Sequence, residues 1–428
     1  MISENSESEF EKMSLKESLR ILWQPPGKLS ERDKDRSVTF LELFYDLVYV
    51  VLISEIAHTL SKQIDPAHIG GFVFLFVVVW WAWFNGSTYH ELHGTNDVRT
   101  RVFTFLQMFT VLAMAVFAHN AMGEGSIGFA LSYAAFQLVL NFLWWRTGVY
   151  DPDHRPLSRP YTCVFLISSL LFIASIWVAI PWRFGMWVVA IVTVLVLPLF
   201  VMNMGRKHPH VQAQIDLVME GSPALVERFG LFTIIVLGEV IVGVVQGIAG
   251  HHELNWTIGI TAALGMLIAI GLWWVYFDVV SHRLPKRGTL YTSSWMYLHL
   301  PLTMGIAAAG AAILNMVEHT GSDLPGEIRW LLVSSVFIVF LSISFLIHTI
   351  IIEETRSVIF QNAKKIILVS AVLVLMLGLF QLDTLLLLIA LCLLMLAPVY
   401  YGLKAWARIR LQEKNASQGN TGFEEEQV

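Results

Sequence analysis

Charge is what this sequence has least of. Only 14% of its 428 residues are Asp, Glu, Lys or Arg, against 56% hydrophobic, and a soluble domain that poor in charge could not cover its surface with polar groups. Only two cysteines are present, which excludes a disulfide scaffold. Cys163 and Cys392 both fall in apolar runs and read as small hydrophobes. No apolar run alternates with the period of a barrel strand. No Walker glycine loop, serine nucleophile elbow or zincin motif occurs, so nothing points to direct ATP use or to an enzyme. With 28 basic and 33 acidic residues, no nucleic-acid surface is implied, nor is any cofactor or resident metal.

What is present is a succession of apolar runs, each near the ~20 residues that cross the hydrocarbon of a bilayer as helix. The runs predict an all-α, polytopic membrane protein with twelve spans, at 39–61, 69–90, 101–121, 126–146, 161–181, 183–204, 224–248, 256–280, 294–317, 328–352, 363–381 and 383–404. With the amino terminus inside, every lysine and arginine lies in an inner segment except Lys62, Arg183 and Arg329 outside and Arg228 within the seventh span. That asymmetry predicts both termini on the cytoplasmic side. Ahead of the first span, Phe10, Met13, Leu19 and Trp23 read either as a surface helix lying on the bilayer or as a loose tail.

The spans fall into two matching sets. "WWAWFN" from Trp80 to Asn85 corresponds to "WWVYFD" from Trp273 to Asp278, Gln107 to His299, and Leu41–Phe44 to Val226–Phe229. The expected organisation is therefore a tail over 1–38, a first six-helix repeat over 39–204, a linker over 205–223, a second six-helix repeat over 224–404 and a tail over 405–428. An even number of spans per repeat gives the two the same orientation, the parallel-repeat plan of transporters that bind substrate between their halves.

Against the apolar background, a few ionisable residues stand out, each costing ~2.5–3.5 kcal/mol at a helix centre on insertion scales. Glu42, Asp46, Tyr49 and Ile53 share one 60° sector of the first span, while Glu55 and His58 point elsewhere. Glu42 is near enough to the interface to reach water and favour the helix start. In the seventh span Arg228, Ile235, Glu239 and Gln246 form a second stripe, and Gly238 is expected to allow close backbone approach. Asp46, Glu55, Glu239 and His299 are the candidates for a substrate or ion path, with Glu42, Glu227, Arg228, Asn85 and Asp278 as a supporting polar network. The expected arrangement turns the carboxylates of the first and seventh spans toward one another. Arg228 is a candidate partner for Glu42 or Asp46, and His299 or His58 for the mid-membrane glutamates. The same acids could instead serve as interhelical hydrogen bonds that hold the bundle. His90, Glu91 and His93 lie in "YHELHGTNDVRTR", which lacks a His-Glu-x-x-His pattern and reads as a solvated loop, with Asp97, Arg99 and Arg101 anchoring the third span. "VYDPDHRPLSRP" reads as a turn.

Three of these segments carry a resemblance. "WQPPGKLSERDKDRSVTFLELFYDLVYV", with its core of Glu42, Leu43, Phe44, Asp46 and Leu47, "ERFGLFTIIVLGEVIVGV", with Glu227, Arg228, Phe229, Leu237, Gly238 and Glu239, and the His299-Leu300-Pro301-Leu302 step resemble the bacterial low temperature requirement protein A (LtrA) family. The resemblance implies a polytopic protein of the bacterial inner membrane linked by name to growth in the cold, with no settled substrate. A secondary transporter or permease coupled to a proton or ion is the leading expectation, its partners being the bilayer, a small molecule or ion, and a second copy of itself in a homo-oligomer. The alternatives are a two-repeat channel, since Phe44-Tyr45-Asp46 bears a faint likeness to the Phe-Ser-Asp signature of such potassium channels, and a non-transporting membrane stress or cold-response protein.

Overall fold

In the computed structural model, residues 23–33, 36–253, 255–320 and 323–424 are described, and among them there is no strand. The surface helix or tail expected around Phe10, Met13 and Leu19 lies outside them. A 3-10 turn at Leu29–Glu31 precedes thirteen α-helices: α1 (Phe40–Lys62), α2 (Pro66–His93), α3 (Val98–Ala118), α4 (Ser126–Tyr150), α5 (Arg155–Ser175), α6 (Trp182–Lys207), α7 (Pro209–Val218), α8 (Pro223–Ala249), α9 (Trp256–Val279), α10 (Thr289–Glu318), α11 (Gly326–Thr349), α12 (Ser357–Leu377) and α13 (Thr384–Glu424). Every helix but α7 overlaps one of the twelve expected spans. Among the described residues, eleven are long and apolar enough to cross a membrane. The twelfth is α1, whose 23 residues at 1.5 Å each reach about 35 Å despite its ionisable side chains. The chain is an all-α, multi-pass membrane protein.

Local chemistry sets the helix starts. Thr39 and Glu42 form a capping box on α1: Glu42 Oε2 accepts from Thr39 N at 2.9 Å, and Thr39 Oγ1 accepts from Glu42 N at 3.3 Å. Asp65 caps α2 by accepting from Ala67 N and His68 N, Asn255 caps α9 by accepting from Ile258 N, and Ser222 caps α8 by accepting from Leu225 N. Within the expected linker, α7 begins at Pro209, a residue suited to a first helical turn, and buries Val211 and Ile215 against Leu157, Leu197 and Val201. That helix is too short to show as a span.

The chain divides into two compact units. Unit 1 comprises residues 1–59 and 71–225, unit 2 residues 60–70 and 226–428. In unit 1, α4 packs on α3 and α5, and α5 on α6; in unit 2, α11 packs on α10 and α12, and α12 on α13. Within unit 2, Asn315 Nδ2 of α10 donates to the Ser61 carbonyl at 2.8 Å and ties residues 60–70 to that helix. In unit 2 the backbones of α8 and α10 touch: a Cβ on Gly243 would lie 2.4 Å from the Gly310 carbonyl oxygen, and one on Gly247 2.9 Å from that of Leu314. This is the small-xxx-small contact of membrane helices. Gly238, expected to make such a contact, has open space where its side chain would be; the contact falls one and two turns later on α8.

Candidate functional site

In unit 1 a buried polar ladder climbs α1. Glu42, Tyr45, Asp46, Tyr49 and Ile53 are all buried, so the sector predicted from helical spacing is the one turned inward. At its foot Glu42, 6% exposed, is held by Arg36 through two hydrogen bonds of 3.0 Å, and a second guanidinium contact runs from Arg36 to Glu91 at 2.5 Å. Ser222 Oγ donates to the other Glu91 oxygen at 2.6 Å. Glu42 therefore does favour the helix start, but against a guanidinium and not against water. Burial alone would favour loss of the Arg36 proton; the hydrogen bond to Glu42 and the charges of Glu91 and Glu42 more than offset it, and its pKa is raised.

One turn deeper, Asp46 has no exposure and its Oδ1 accepts from Trp83 Nε1 of α2 at 2.8 Å. An indole N–H can only donate, so Trp83 is suited to a carboxylate oxygen. Beside it the Tyr45 and Tyr49 hydroxyls are 3.1 Å apart. Gly86 makes the room, since a Cβ there would lie 2.0 Å from the Tyr45 hydroxyl oxygen. The Tyr45 ring also contacts His90, whose Nε2 lies 3.3 Å from Gln107 Oε1 on α3. Glu55, farther along α1, is half-buried on a different face.

The segment from His90 to Arg99 differs from expectation. It is no solvated loop: α2 continues to His93, and His90, Glu91, His93, Asp97 and Arg99 are all buried. Asp97 caps α3 by accepting from Thr100 N at 3.1 Å and lies 3.5 Å from Arg99 Nε. The turn at Asp151–His154 likewise holds a buried histidine. Among the described residues no group of three or more His, Cys, Asp or Glu could hold a metal ion.

Unit 2 is built differently. Glu239 of α8 is buried at 6% exposure, and the close approach of α10 falls on it: a Cβ on Gly310 would lie 2.7 Å from its carbonyl oxygen. Arg228 is buried; Glu227 and Gln246 are exposed. His299, at 1% exposure, has both ring nitrogens engaged. Its Nδ1 faces the Trp295 carbonyl at 2.7 Å and so carries the proton, leaving Nε2 to accept from the Tyr276 hydroxyl at 3.0 Å. Phe229 and Trp295 close the box around the ring. The glutamate expected as a partner of His299 is replaced by a tyrosine and a backbone carbonyl. Asn85 donates to the Trp81 carbonyl of its own helix, and Asp278, exposed, accepts from Trp274 Nε1; both serve local bonds.

Sequence reasoning singled out neither Arg36 nor Ser222, and it gave Glu91, Trp83 and Tyr45 no part in the site. Only the Thr39-x-x-Glu42 capping box gave a readable signal there. In the sequence the tryptophans mark the repeat, and nothing there shows that one would serve a carboxylate.

Two comparisons bear on this architecture. A curated relative from Rhizobium meliloti (strain 1021), Uncharacterized protein RA0937, is 26% identical over 289 residues, covering 64% of this chain and 68% of its own length. Residues 37–400, from just before the capping box of α1 to within α13, match the family described as Bacterial low temperature requirement A protein (LtrA). The buried acids of α1 and the glutamate of α8 both lie within that match, and the chain belongs to the LtrA family.

Proposed function

We propose that this protein is a secondary transporter of the bacterial inner membrane, moving a small molecule or ion in company with a proton or cation. The observation that carries the reading is Asp46: a carboxylate without exposure, inside a helix long enough to cross the bilayer, met by a tryptophan N–H. Placing a charge there is costly, and such residues mark ion or substrate paths. Asp46 and Glu55 of α1 are the path residues in unit 1, and Glu239 of α8 is a buried acid of unit 2. The Glu42–Arg36–Glu91 cluster is the polar foot of that path. His299, satisfied on both nitrogens, positions α9 against α10 and does not itself carry the ion. Both termini are assigned to the cytoplasm on the Lys and Arg asymmetry, and a homo-oligomer in the bilayer is compatible with this reading. The matched family's name, low temperature requirement, fits a solute needed for growth in the cold.

The test is unbiased flux profiling of vesicles with and without the protein, repeated with Asp46→Asn and Glu239→Gln. The reading expects at least one solute whose movement depends on the protein and on a proton or sodium gradient, and is abolished by Asp46→Asn in a folded, inserted protein. Passive movement down its own gradient would instead mark a channel. No change for any solute would overturn transport in favour of a sensor.

A further inference from the structure

Ahead of α1 the chain forms a strap over residues 24–29, and titratable residues hold it onto unit 1. Gln24 N donates to Asp97 Oδ2 at 3.2 Å and Leu29 N to Asp151 Oδ2 at 3.4 Å. Gly27 is bound at both ends of its peptide: its N–H donates to the His93 carbonyl at 3.1 Å, and its carbonyl accepts from His93 Nδ1 at 2.9 Å. Arg146 reinforces the strap, donating to the Gln24 carbonyl at 3.5 Å and lying over the Trp23 ring.

The tautomer of His93 follows from chemistry. A carbonyl only accepts, so Nδ1 bears the proton and Nε2 presents a lone pair. That Nε2 is buried without a hydrogen-bond partner, and so are both ring nitrogens of His154. The two rings are in edge contact, 4.8 Å between centroids, with Trp144 against both. The charged and titratable groups around the pair are Arg32 beyond the strap, Arg99 and its partner Asp97 at the start of α3, Arg146 on α4, Asp151 between α4 and α5, Tyr89 on α2 and Tyr161 on α5; Gln214 of α7 faces His154. Asp151 is already engaged by two backbone N–H groups, those of Leu29 and His154. A proton added to His93 would thus sit close to the Arg32 and Arg99 guanidiniums and the His154 ring, whereas one added to His154 would face the His93 ring, the Gln214 amide and an Asp151 carboxylate already taken by two backbone N–H groups.

We propose that the His93–His154 pair is a proton-operated latch, closed while both rings are neutral and releasing the strap over residues 24–29 when one is protonated. Burial holds the His154 pKa below its ordinary value, with the Asp151 charge and the Gln214 side chain opposing. The docked strap therefore binds the proton less well than the released one. Docking is at full strength above the ordinary histidine pKa of about 6.5 and weakens as pH falls below it. From the strap the chain runs through Arg32, which donates to the Glu220 carbonyl, to Arg36 on Glu42 and Glu91. Release would loosen the approach to the foot of α1. The inference stands whether or not the protein moves a solute.

Hydrogen–deuterium exchange of the full chain in lipid nanodiscs, from about pH 8 to about pH 5 and corrected for intrinsic exchange, tests it. The amides of Gln24, Gly27 and Leu29 should lose protection by about tenfold per pH unit once protonation begins, while amides within α4 keep theirs. His154→Phe keeps an aromatic ring against His93 and removes the titration, so its strap should stay protected toward lower pH; His154→Gln serves if the phenylalanine variant does not fold. A variant strap that follows the wild-type pH profile would overturn the latch. Constant wild-type protection over the whole range would overturn it too. So would a gain in protection on adding zinc at pH 8 that His154→Phe abolishes, since the pair would then be a cation site.

Discussion

The matched segments Trp80–Asn85 and Trp273–Asp278 show how two helices of similar sequence divide different work. In unit 1, Trp83 reaches from α2 back to α1 and gives its N–H to the Asp46 carboxylate. In unit 2 the corresponding Tyr276 reaches from α9 forward to α10 and gives its hydroxyl proton to His299. Two positions on, Asn85 is buried and donates to a main-chain carbonyl one turn back, whereas Asp278 is exposed and accepts from an indole one turn back. Glu42 is buried under a guanidinium; its counterpart Glu227 is exposed. The aromatic frame is common to both, but one unit fixes its inner helices through charge and the other through a neutral tyrosine–imidazole pair. The charged arrangement gives stronger bonds and a heavier penalty when one partner is lost.

The largest effect should come from the foot of α1. Arg36→Met leaves Glu42 and Glu91 buried without their guanidinium and should cost about 3 kcal/mol, the range for breaking a buried ion pair. Glu227→Gln, at the matched exposed site, should change stability by less than about 0.5 kcal/mol. Thermal unfolding of both variants in one detergent compares the units directly; equal costs would mean that the burial difference has no energetic weight.

Glycines come next. Gly310→Ala would set a methyl group 2.7 Å from the Glu239 carbonyl oxygen, a backbone atom that cannot swing aside. A loss of about 1–3 kcal/mol is expected, with α10 pushed off α8. Gly86→Ala meets the far end of the Tyr45 side chain instead. Because a side chain yields more readily than a main chain, unit 1 should lose less, and its main symptom should be disruption of the Tyr45–Tyr49 hydroxyl contact. A greater loss at Gly86 would mean that Tyr45 is as fixed as backbone.

The inner bonds themselves discriminate more finely. Trp83→Phe takes the indole donor from a buried carboxylate and should cost about 2–3 kcal/mol, while Tyr276→Phe leaves one neutral imidazole lone pair and should cost about 1 kcal/mol. Unfolding of the two single variants, measured side by side, would reverse the proposed contrast if Tyr276→Phe proved the worse.

These contrasts mark how far sequence reading reaches in such a protein. Run length read the helices because hydrocarbon thickness fixes their minimum size, and the first-span sector held because helical spacing fixes direction. The helix-start role of Glu42 was legible, and the Thr39-x-x-Glu42 capping box that carries it spans only four residues, although the sequence reading gave Glu42 water for a partner. Partners were not: Asp46 and Trp83 are 37 residues apart, Glu91 and Ser222 131, and no periodicity links them. His90, Glu91 and His93 looked like a loop because polar residues after an apolar run normally meet water. Here a strap from before α1 and a capping serine from before α8 cover that helix end. For Gly238 the reading chose the glycine nearest the acid, although helix crossing geometry selected Gly243 and Gly247.

The smallest expected effect separates the third helix of each unit by pH. Asp97 caps α3 with its carboxylate, while α10 follows Gly288 at φ 117° with no side-chain cap. Burial pushes the Asp97 pKa up, but the hydrogen bonds from Thr100 and Thr95 and the charge of Arg99 outweigh it and hold the group below its ordinary value. A carboxylate depressed in the folded state contributes stability above its unfolded pKa of about 3.9, and that contribution disappears as pH falls through the folded value. Acid should therefore fray the start of α3 and leave that of α10 intact. Asp97→Asn keeps a capping oxygen while removing the charge. At neutral pH it should cost about 1 kcal/mol or less, and the acid-dependent loss of α3 amide protection should vanish with it. Were α10 to fray alongside α3 in acid, the cap would not be the cause.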